Sequence, residues 1–331
     1  MTIRVAFVGA SGHAHLVLDD LPRLPQVQIV ACAPSFPEED MSRILNVPGK
    51  APAFYADWQH MLSVIQPDIV VACGRNDTHA PVAIKAAQLG CHIFAEKPAA
   101  HTIEEVNTLR RLVREHQLIY TLMLPIRYEP PYWTAHRLVR EGAIGEPLQI
   151  TAQKSYRWGA QRPTWYADRS TYGSTMTWVG IHAFDYARWV SGLDYTEVFA
   201  YHANLAHPER PGCQDVATVM ASLSNGGSAV FNLDYLRPAA APTHGDDRLR
   251  IAGSEGVLEV CDTGTRLQVT TASEHIPSWP LEHTERSLMT DLVRALEDGA
   301  QPLVSAEEAF AITEFAIRAA QAADEHRVIP L

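Results

Sequence analysis

The first ~120 residues alternate between two hydrophobic periods, and this alternation limits the fold more than any other feature of the chain. Short, almost unbroken apolar runs (IRVAFVG, VQIVACA, DIVVACG, HIFAE and LIYTLML) read as strands buried on both faces. Helical stretches lie between them, roughly Gly12–Leu21, Asp57–Ile65, Pro81–Leu89 and Ile103–His116. Pro81 near a helix start and Gly90 just past its end follow the usual asymmetry of helix termini. Strand–helix alternation at this spacing predicts a parallel sheet covered by helices on both faces.

The pattern changes after about Leu124. YEPPYWTAHRLVREGAIGEP predicts a helix ending near Gly142. Strands then follow one another, at about Leu148–Tyr156, Glu197–Ala203, Ala217–Leu223, Ser228–Tyr235, Asp247–Ala252, Val257–Cys261 and Arg266–Thr271. SNGG (Ser224–Gly227) is a hairpin signal, and the GSEG around Ser254 and Gly256 is a second tight turn. Two helices close the chain, roughly Glu282–Asp298 and Ala306–Asp324. The expectation is an α/β domain over residues 1–122, then an α+β domain over 123–331 built on a large, mainly antiparallel sheet, which the resemblance given below implies to be open.

Composition excludes several function classes. The 331 residues carry a formal net charge of −11, which disfavours nucleic acid and anionic membrane as partners while leaving room for a local basic pocket. No stretch approaches the roughly 20 apolar residues that span a bilayer. The amino-terminal MTIRVAFVGASGH lacks the long apolar region of a secretory signal, so the cytoplasm is the expected location. The five cysteines (Cys32, Cys73, Cys91, Cys213 and Cys261) form no CxxC pair and read as reduced thiols, four of them in apolar strand-like runs. His13 and His15 form an HxH without companion ligands, so no metal is expected.

Gly9 stands directly after the first strand, in VAFVGASGHAH. A dinucleotide loop needs small residues where the chain turns, where backbone meets pyrophosphate and where helix meets strand. Gly9, Ser11 and Ala14 take those places, with an additional Gly12. Phosphates are expected against Gly9, Ser11, Gly12 and His13. A tight glycine turn without a ligand is the competing reading. The acid that usually holds the ribose 2′-hydroxyl at the end of the second strand is missing. Ala33, Pro34 and Ser35 are not acidic, Glu38 and Glu39 come late, and Arg43 is the nearest arginine. Ser35 tolerates either nucleotide, so NAD and NADP both remain open.

The stretch CGRNDTHAPVAIKAAQLGCHIFAEKPAA (Cys73–Ala100) combines Asn76, His79, an alanine-rich helix, Gly90, His92 and the tripeptide Glu96-Lys97-Pro98. With REGAIGEPLQI (Arg140–Ile150), GSTMTWVGIHAFD (Gly173–Asp185) and the closing DGAQPLVSAEEAFAITEFAIRAAQAADEHRVIPL, it resembles the Gfo/Idh/MocA family, the glucose–fructose oxidoreductase and inositol dehydrogenase group. The resemblance covers nearly the whole chain. It implies a Rossmann domain that binds NAD(H) or NADP(H) and a second domain whose open sheet serves in substrate binding and in a homodimer or homotetramer. It implies oxidation or reduction of a carbon–oxygen bond in a sugar, polyol or related small molecule; some members use the nicotinamide transiently for elimination or hydrolysis.

By the same resemblance the family's lysine falls on Lys97 and its helix histidine on His182, the two candidates for proton transfer. Asn76 and His79 are expected by the cofactor's ribose or nicotinamide side, with Glu96 fixing the turn near the nicotinamide. The residue four before the histidine is usually an aspartate in the family, and here it is Trp178. An indole donates one hydrogen bond and accepts none, so it cannot take a substrate proton. Three readings stay open: a stacking platform for a sugar ring, a changed chemistry with an acid or base from Tyr166, Asp168 or Tyr172, or a sensor that has lost catalysis. Trp178, His182, Asp185 and Trp189 are spaced as one helix stripe, with Asp185 read first as a structural carboxylate. Tyr156, Arg157, Arg162, Trp165 and Tyr166 form either a solvated loop with hydrophobic anchors or a substrate-recognition loop, with arginines for a carboxylate or phosphate. Arg127 and Tyr128, after the last strand of the first domain, form a second candidate lip.

Overall fold

A computed structural model describes residues 2–159 and 162–331. The chain divides into two compact units, Met1–Leu124 with Arg286–Glu314, and Pro125–Glu285 with Phe315–Leu331. The expected single second domain over 123–331 is therefore corrected. A segment near the carboxyl end returns to the first unit, because its helices carry apolar faces that complete that unit's core. Leu288, Met289, Leu292, Val304 and Phe310 are all buried.

The first unit contains β1 (Ile3–Val8), α1 (His15–Leu18), β2 (Val27–Ala33), α2 (Ser42–Leu45), β3 (Ala53–Phe54) and α3 (Trp58–Ile65). It continues with β4 (Ile69–Ala72), α4 (His79–Gln88), β5 (His92–Ala95), α5 (Ile103–Glu115) and β6 (Tyr120–Leu122). The strands form a parallel sheet in the order β3-β2-β1-β4-β5-β6, a doubly wound arrangement with its switch point between β1 and β4. Every residue of β4 is buried, as a continuous Ile-Val-Val-Ala run requires of a strand with both faces covered. The start of α5 is fixed by a capping box between Thr102 and Glu105, and Val106, Leu109, Leu112 and Val113 form its buried stripe. β3 is a two-residue strand, too short to show a period, and was not expected.

The second unit contains α6 (Pro130–Arg140), β7 (Pro147–Arg157), α7 (Arg169–Tyr172), α8 (Ile181–Ser191), β8 (Tyr195–Ala203), β9 (Val216–Leu223) and β10 (Ser228–Arg237). It continues with β11 (Gly245–Gly253), β12 (Gly256–Cys261), β13 (Arg266–Thr271) and β14 (His275–Ile276). After α9 (Leu288–Asp298) and α10 (Ala306–Glu325), β15 (Ile329–Pro330) joins β8. The nine-stranded sheet has the order β14-β13-β12-β11-β7-β10-β9-β8-β15. Its ladders are antiparallel except for β7 beside β10. Burial alternates strictly along β9, so one face is covered and the other open. The SNGG turn joins β9 and β10, pairing Val219 with Phe231 and Ala217 with Leu233.

Two helices start elsewhere than their apolar pattern implied. α9 begins at Leu288 rather than near Glu282, because the Ser287 side chain caps it in a box with Thr290. α1 is only four residues long; the rest of its expected span forms turns, and a 3₁₀ segment, Leu21–Arg23, with Pro22 in its first turn, follows. No helix among the described residues is long and apolar enough to cross a membrane.

Candidate active site

In the first unit, three loops meet at the carboxyl ends of β1, β4 and β5. Gly9 has φ +83°, and a Cβ there would lie 2.5 Å from Gly74 Cα, so only glycine lets the β1 and β4 loops close together. Gly12 has φ +57°, and its Cβ would strike Glu96 Oε1 at 2.5 Å. Ser11 N–H donates to Cys73 O at 2.7 Å, tying the glycine loop to the end of β4. This glycine-shaped cradle at a sheet switch point fits a dinucleotide's phosphates.

Glu96 follows β5 and is fully buried. His13 Nδ1 lies 2.8 and 2.9 Å from its two carboxylate oxygens, and Lys97 Nζ lies 4.0 Å from Oε1. Burial alone would raise the Glu96 carboxyl, but the charges of His13 and Lys97 bring it down to about 2. The expected turn-former is thus held as an anion that gathers His13 and Lys97. The Lys97–Pro98 peptide is cis. Asn76 opens the short 3₁₀ turn Asn76–Thr78 after β4 and is buried.

The His79 ring is buried, with Nδ1 3.0 Å from Pro98 O and Nε2 3.0 Å from Gly74 O. Burial lowers its pKa, and both ring nitrogens face backbone carbonyls, so it ties the β5 turn to the β4 loop.

Ser35 sits just after β2, as expected, but it is engaged by a residue set aside in the sequence. Glu39 Oε2 accepts from Ser35 N–H and from Ser35 Oγ, both at 2.8 Å. Its Oε1 accepts from Ser11 Oγ at 2.8 Å and from Ala10 N–H at 3.1 Å. The chain can return this way because Glu38 takes φ +71° and folds the segment back on the strand end. The signal that could have found Glu39 is the turn-rich PSFPEED itself, which cannot run straight away from the sheet.

In the second unit, the opening motif of α8 is not a plain α-helix. Met176–Gly180 is a π-helical turn leading into α8, a local form frequent at functional sites. His182 is buried on α8, while Trp178 is half-buried in an aromatic cluster. The Trp178 ring stands edge-on to Tyr166 at 6.3 Å and to Trp165 at 6.4 Å. Tyr166, Tyr172, Tyr235 and Val179 form the buried heart of this cluster, with Tyr156, Trp158 and Trp165 packed on it. Arg162 lies among its rings, 4.3 Å from the Tyr235 centroid, 5.3 Å from Trp158 and 5.4 Å from Tyr166. Of the aromatics grouped from the sequence, Tyr156, Trp165, Tyr166 and Trp178 all belong to this cluster.

Two arginines serve the framework instead of the expected lip. Arg127 is 1% exposed, with Nη2 2.6 Å from Asp185 Oδ1 and Nε 3.0 Å from Oδ2. The carboxylate of Asp185 is thereby a structural partner, as first read. Arg157 Nη2 donates to the carbonyls of Ala241 and Thr243 and braces that loop. Lys154, by contrast, was missed. It is buried with Nζ 2.5 Å from Asp247 Oδ2 and 4.9 Å from the Tyr156 ring centroid. Glu129 belongs to the same charged neighbourhood, where burial and Asp247 push its carboxyl up to about 7. Strand parity carried the signal for Lys154, which shares the covered side of β7 with Ile150 and Ala152.

Residues 3–123 match the family description "Oxidoreductase family, NAD-binding Rossmann fold", and residues 132–259 match the GFO/IDH/MocA C-terminal domain. An uncharacterized oxidoreductase, YrbE, of Bacillus subtilis is 26% identical over 304 residues, covering 89% of this chain and 86% of that protein. The myo-inositol 2-dehydrogenase of Thermotoga maritima is 26% identical over 288 residues, 84% of each chain. A solved Thermotoga maritima structure described only as an oxidoreductase is 34% identical and superposes with a TM-score of 0.94, covering 99% of this chain and all of that one.

Proposed function

We propose a specific chemistry for this chain, which belongs to the Gfo/Idh/MocA family of NAD-binding oxidoreductases: dehydrogenation of a carbinol, or its reverse, on a sugar, a polyol or a related small molecule. NAD(P) is the cofactor, and when bound it supplies the hydride acceptor or donor. Gly9, Ser11, Gly12 and His13 hold its phosphates, and Asn76 lies towards its ribose or nicotinamide side. The inositol dehydrogenase among the relatives supports a polyhydroxylated substrate.

The observation that carries this reading is the Glu96-Lys97 arrangement after β5, with the lysine ammonium 4.0 Å from a buried carboxylate that remains ionised. Glu96 fixes the ammonium's position without a flexible partner. In the reducing direction the Lys97 ammonium donates its proton to the oxygen of the reacting carbon, and in the oxidising direction the amine accepts the hydroxyl proton. His182 is the second candidate for this transfer. Tyr156, Trp165, Tyr166 and Trp178 offer ring faces to a sugar, with polar tips for its hydroxyls. The indole at position 178 favours a second reading, a dinucleotide or sugar sensor, since it removes an acceptor where the family carries aspartate. The sequence's further expectations, a cytoplasmic homo-oligomer joined through the open face of the nine-stranded sheet, belong to the same reading.

The test has two steps. Titration with NADH and NADPH, followed by energy transfer from the seven tryptophans to the nicotinamide, is expected to show saturable binding of at least one. A screen of sugars and polyols with that cofactor is then expected to find turnover that Lys97→Met lowers by at least 10²-fold with nucleotide affinity retained. Undiminished turnover in Lys97→Met would remove the lysine from catalysis, and binding without turnover of any polyol would favour the sensor.

A further inference from the structure

We propose that Glu39 makes this chain selective for NAD(H) over NADP(H), an inference that rests on the dinucleotide-binding reading above. In doubly wound nucleotide domains the adenosine ribose is read at the end of the second strand, where an acid accepts from its 2′-hydroxyl. Here Ala33 ends β2, held to the glycine loop by the Gly9 N–H to Ala33 O bond at 2.9 Å. None of Ala33, Pro34 and Ser35 is acidic. The carboxylate of Glu39 nevertheless stands at this place, joined to Ser35 on one oxygen and to Ser11 and Ala10 on the other. It is carried there by the backward turn at Glu38, five residues after the strand ends.

The chemistry of this carboxylate decides between the two nucleotides. Its present partners are two serine hydroxyls and two backbone N–H groups, all donors. A ribose diol offers donors of the same kind. A 2′-phosphate offers only acceptor oxygens and about two negative charges, and would meet like charge. The cation nearest to Ser35 does not reverse this balance. Arg75 N–H donates to Ser35 Oγ at 3.3 Å, but its guanidinium lies over the Phe36 ring and is engaged by both oxygens of Asp77, at 2.6 and 2.9 Å. Arg43 acts electrostatically on His15 and Cys73, and Glu39 lies within reach of the same Cys73 thiol. A phosphate drawn towards Arg43 would therefore still share its surroundings with the Glu39 carboxylate.

The experiment measures dissociation constants of NADH, NADPH and the 2′-deoxy analogue of NADH by fluorescence energy transfer at one ionic strength. Wild-type protein, Glu39→Gln and Glu39→Ala are compared after their thermal melts have been matched. The wild type is expected to bind NADH at least tenfold more tightly than NADPH and to lose at least fivefold on removal of the 2′-hydroxyl. In Glu39→Gln the NADPH to NADH ratio is expected to narrow at least fivefold, and in Glu39→Ala the 2′-deoxy penalty is expected to vanish. Equal or tighter wild-type binding of NADPH overturns the proposal without any variant, as does an unchanged ratio in Glu39→Gln. If neither NADH nor NADPH binds the wild type, the dinucleotide reading itself fails and this proposal with it, whereas failure of selectivity alone leaves that reading standing.

Discussion

Glu96 shows how one buried charge organises its neighbours. A carboxylate without solvent stays ionised only where partners hold its charge, and here the Lys97 ammonium lies 4.0 Å away and the His13 ring 2.8 Å away. Its pKa is lowered from 4.5 in the unfolded chain to about 2 in the fold. A depressed carboxyl contributes stability that is complete above the unfolded value and is lost as pH falls through the folded one. That window runs from about pH 4.5 down to about pH 2 and carries on the order of 3 kcal/mol. The stability difference between wild type and Glu96→Gln, measured by urea unfolding, is therefore expected to shrink as pH falls through that window. A difference that stays constant with pH would mean that Glu96 is not held as an anion. Lys97 and Glu39 act on the same scale, each through the position of a few polar atoms.

Among the described α-helices, α8 is the one most completely enclosed. All of its residues except Arg188 are buried, Asp185 included. Enclosing that carboxylate requires a partner, and the 3₁₀ turn Pro125–Tyr128 supplies Arg127 from 58 residues away. The guanidinium also lies 5.7 Å from the Trp189 ring, one turn further along the helix. Removing one member leaves the other charge buried alone, which costs about 3–5 kcal/mol. Asp185→Ala is expected to lose stability of that order in guanidinium unfolding, and the double variant Arg127→Met/Asp185→Leu to recover at least half of it. A loss below about 1 kcal/mol in Asp185→Ala would show that the pair does not hold the helix. The π-helical turn before α8 lies on the same element scale, since it carries Trp178 into the helix that follows.

For the whole molecule, the notable feature is the return of Arg286–Glu314 to the first unit. Ser287 Oγ donates to Asp20 at 2.5 Å, Thr121 Oγ1 to Val304 O at 2.9 Å, and Ala99 N–H to Thr313 Oγ1 at 3.3 Å. Phe310 packs on Tyr120 with ring centroids 4.8 Å apart. The Ala99 contact lies two residues from Lys97, so the returning segment supports the very loop that carries the proposed proton donor. A chain ending at Glu285 is expected to lose cooperative thermal unfolding of the first unit and to bind NADH at least 100-fold more weakly, as measured by differential scanning calorimetry and nucleotide fluorescence. Unchanged binding by that truncated chain would show that residues 1–124 form a sufficient nucleotide domain.

The amino-acid sequence alone determined the elements and their class. Unbroken apolar strands between helices dictate a parallel sheet, and successive strands joined by tight turns after Leu124 dictate an antiparallel one, because these patterns are read within a few residues of chain. The glycine loop and the Glu96-Lys97-Pro98 tripeptide were legible for the same reason: their residue types are contiguous. Tertiary structure decided what distant residues do to one another. His13 and Glu96 are 83 positions apart, Ser11 and Glu39 are 28 apart, and no local period reports either meeting. It also decided that Arg127 serves Asp185, that His79 ties two loops, and that the chain's late helices complete its first unit. Each of these outcomes follows from burial. A polar group removed from water must find its partner wherever folding brings one, and sequence distance places no bound on where that is.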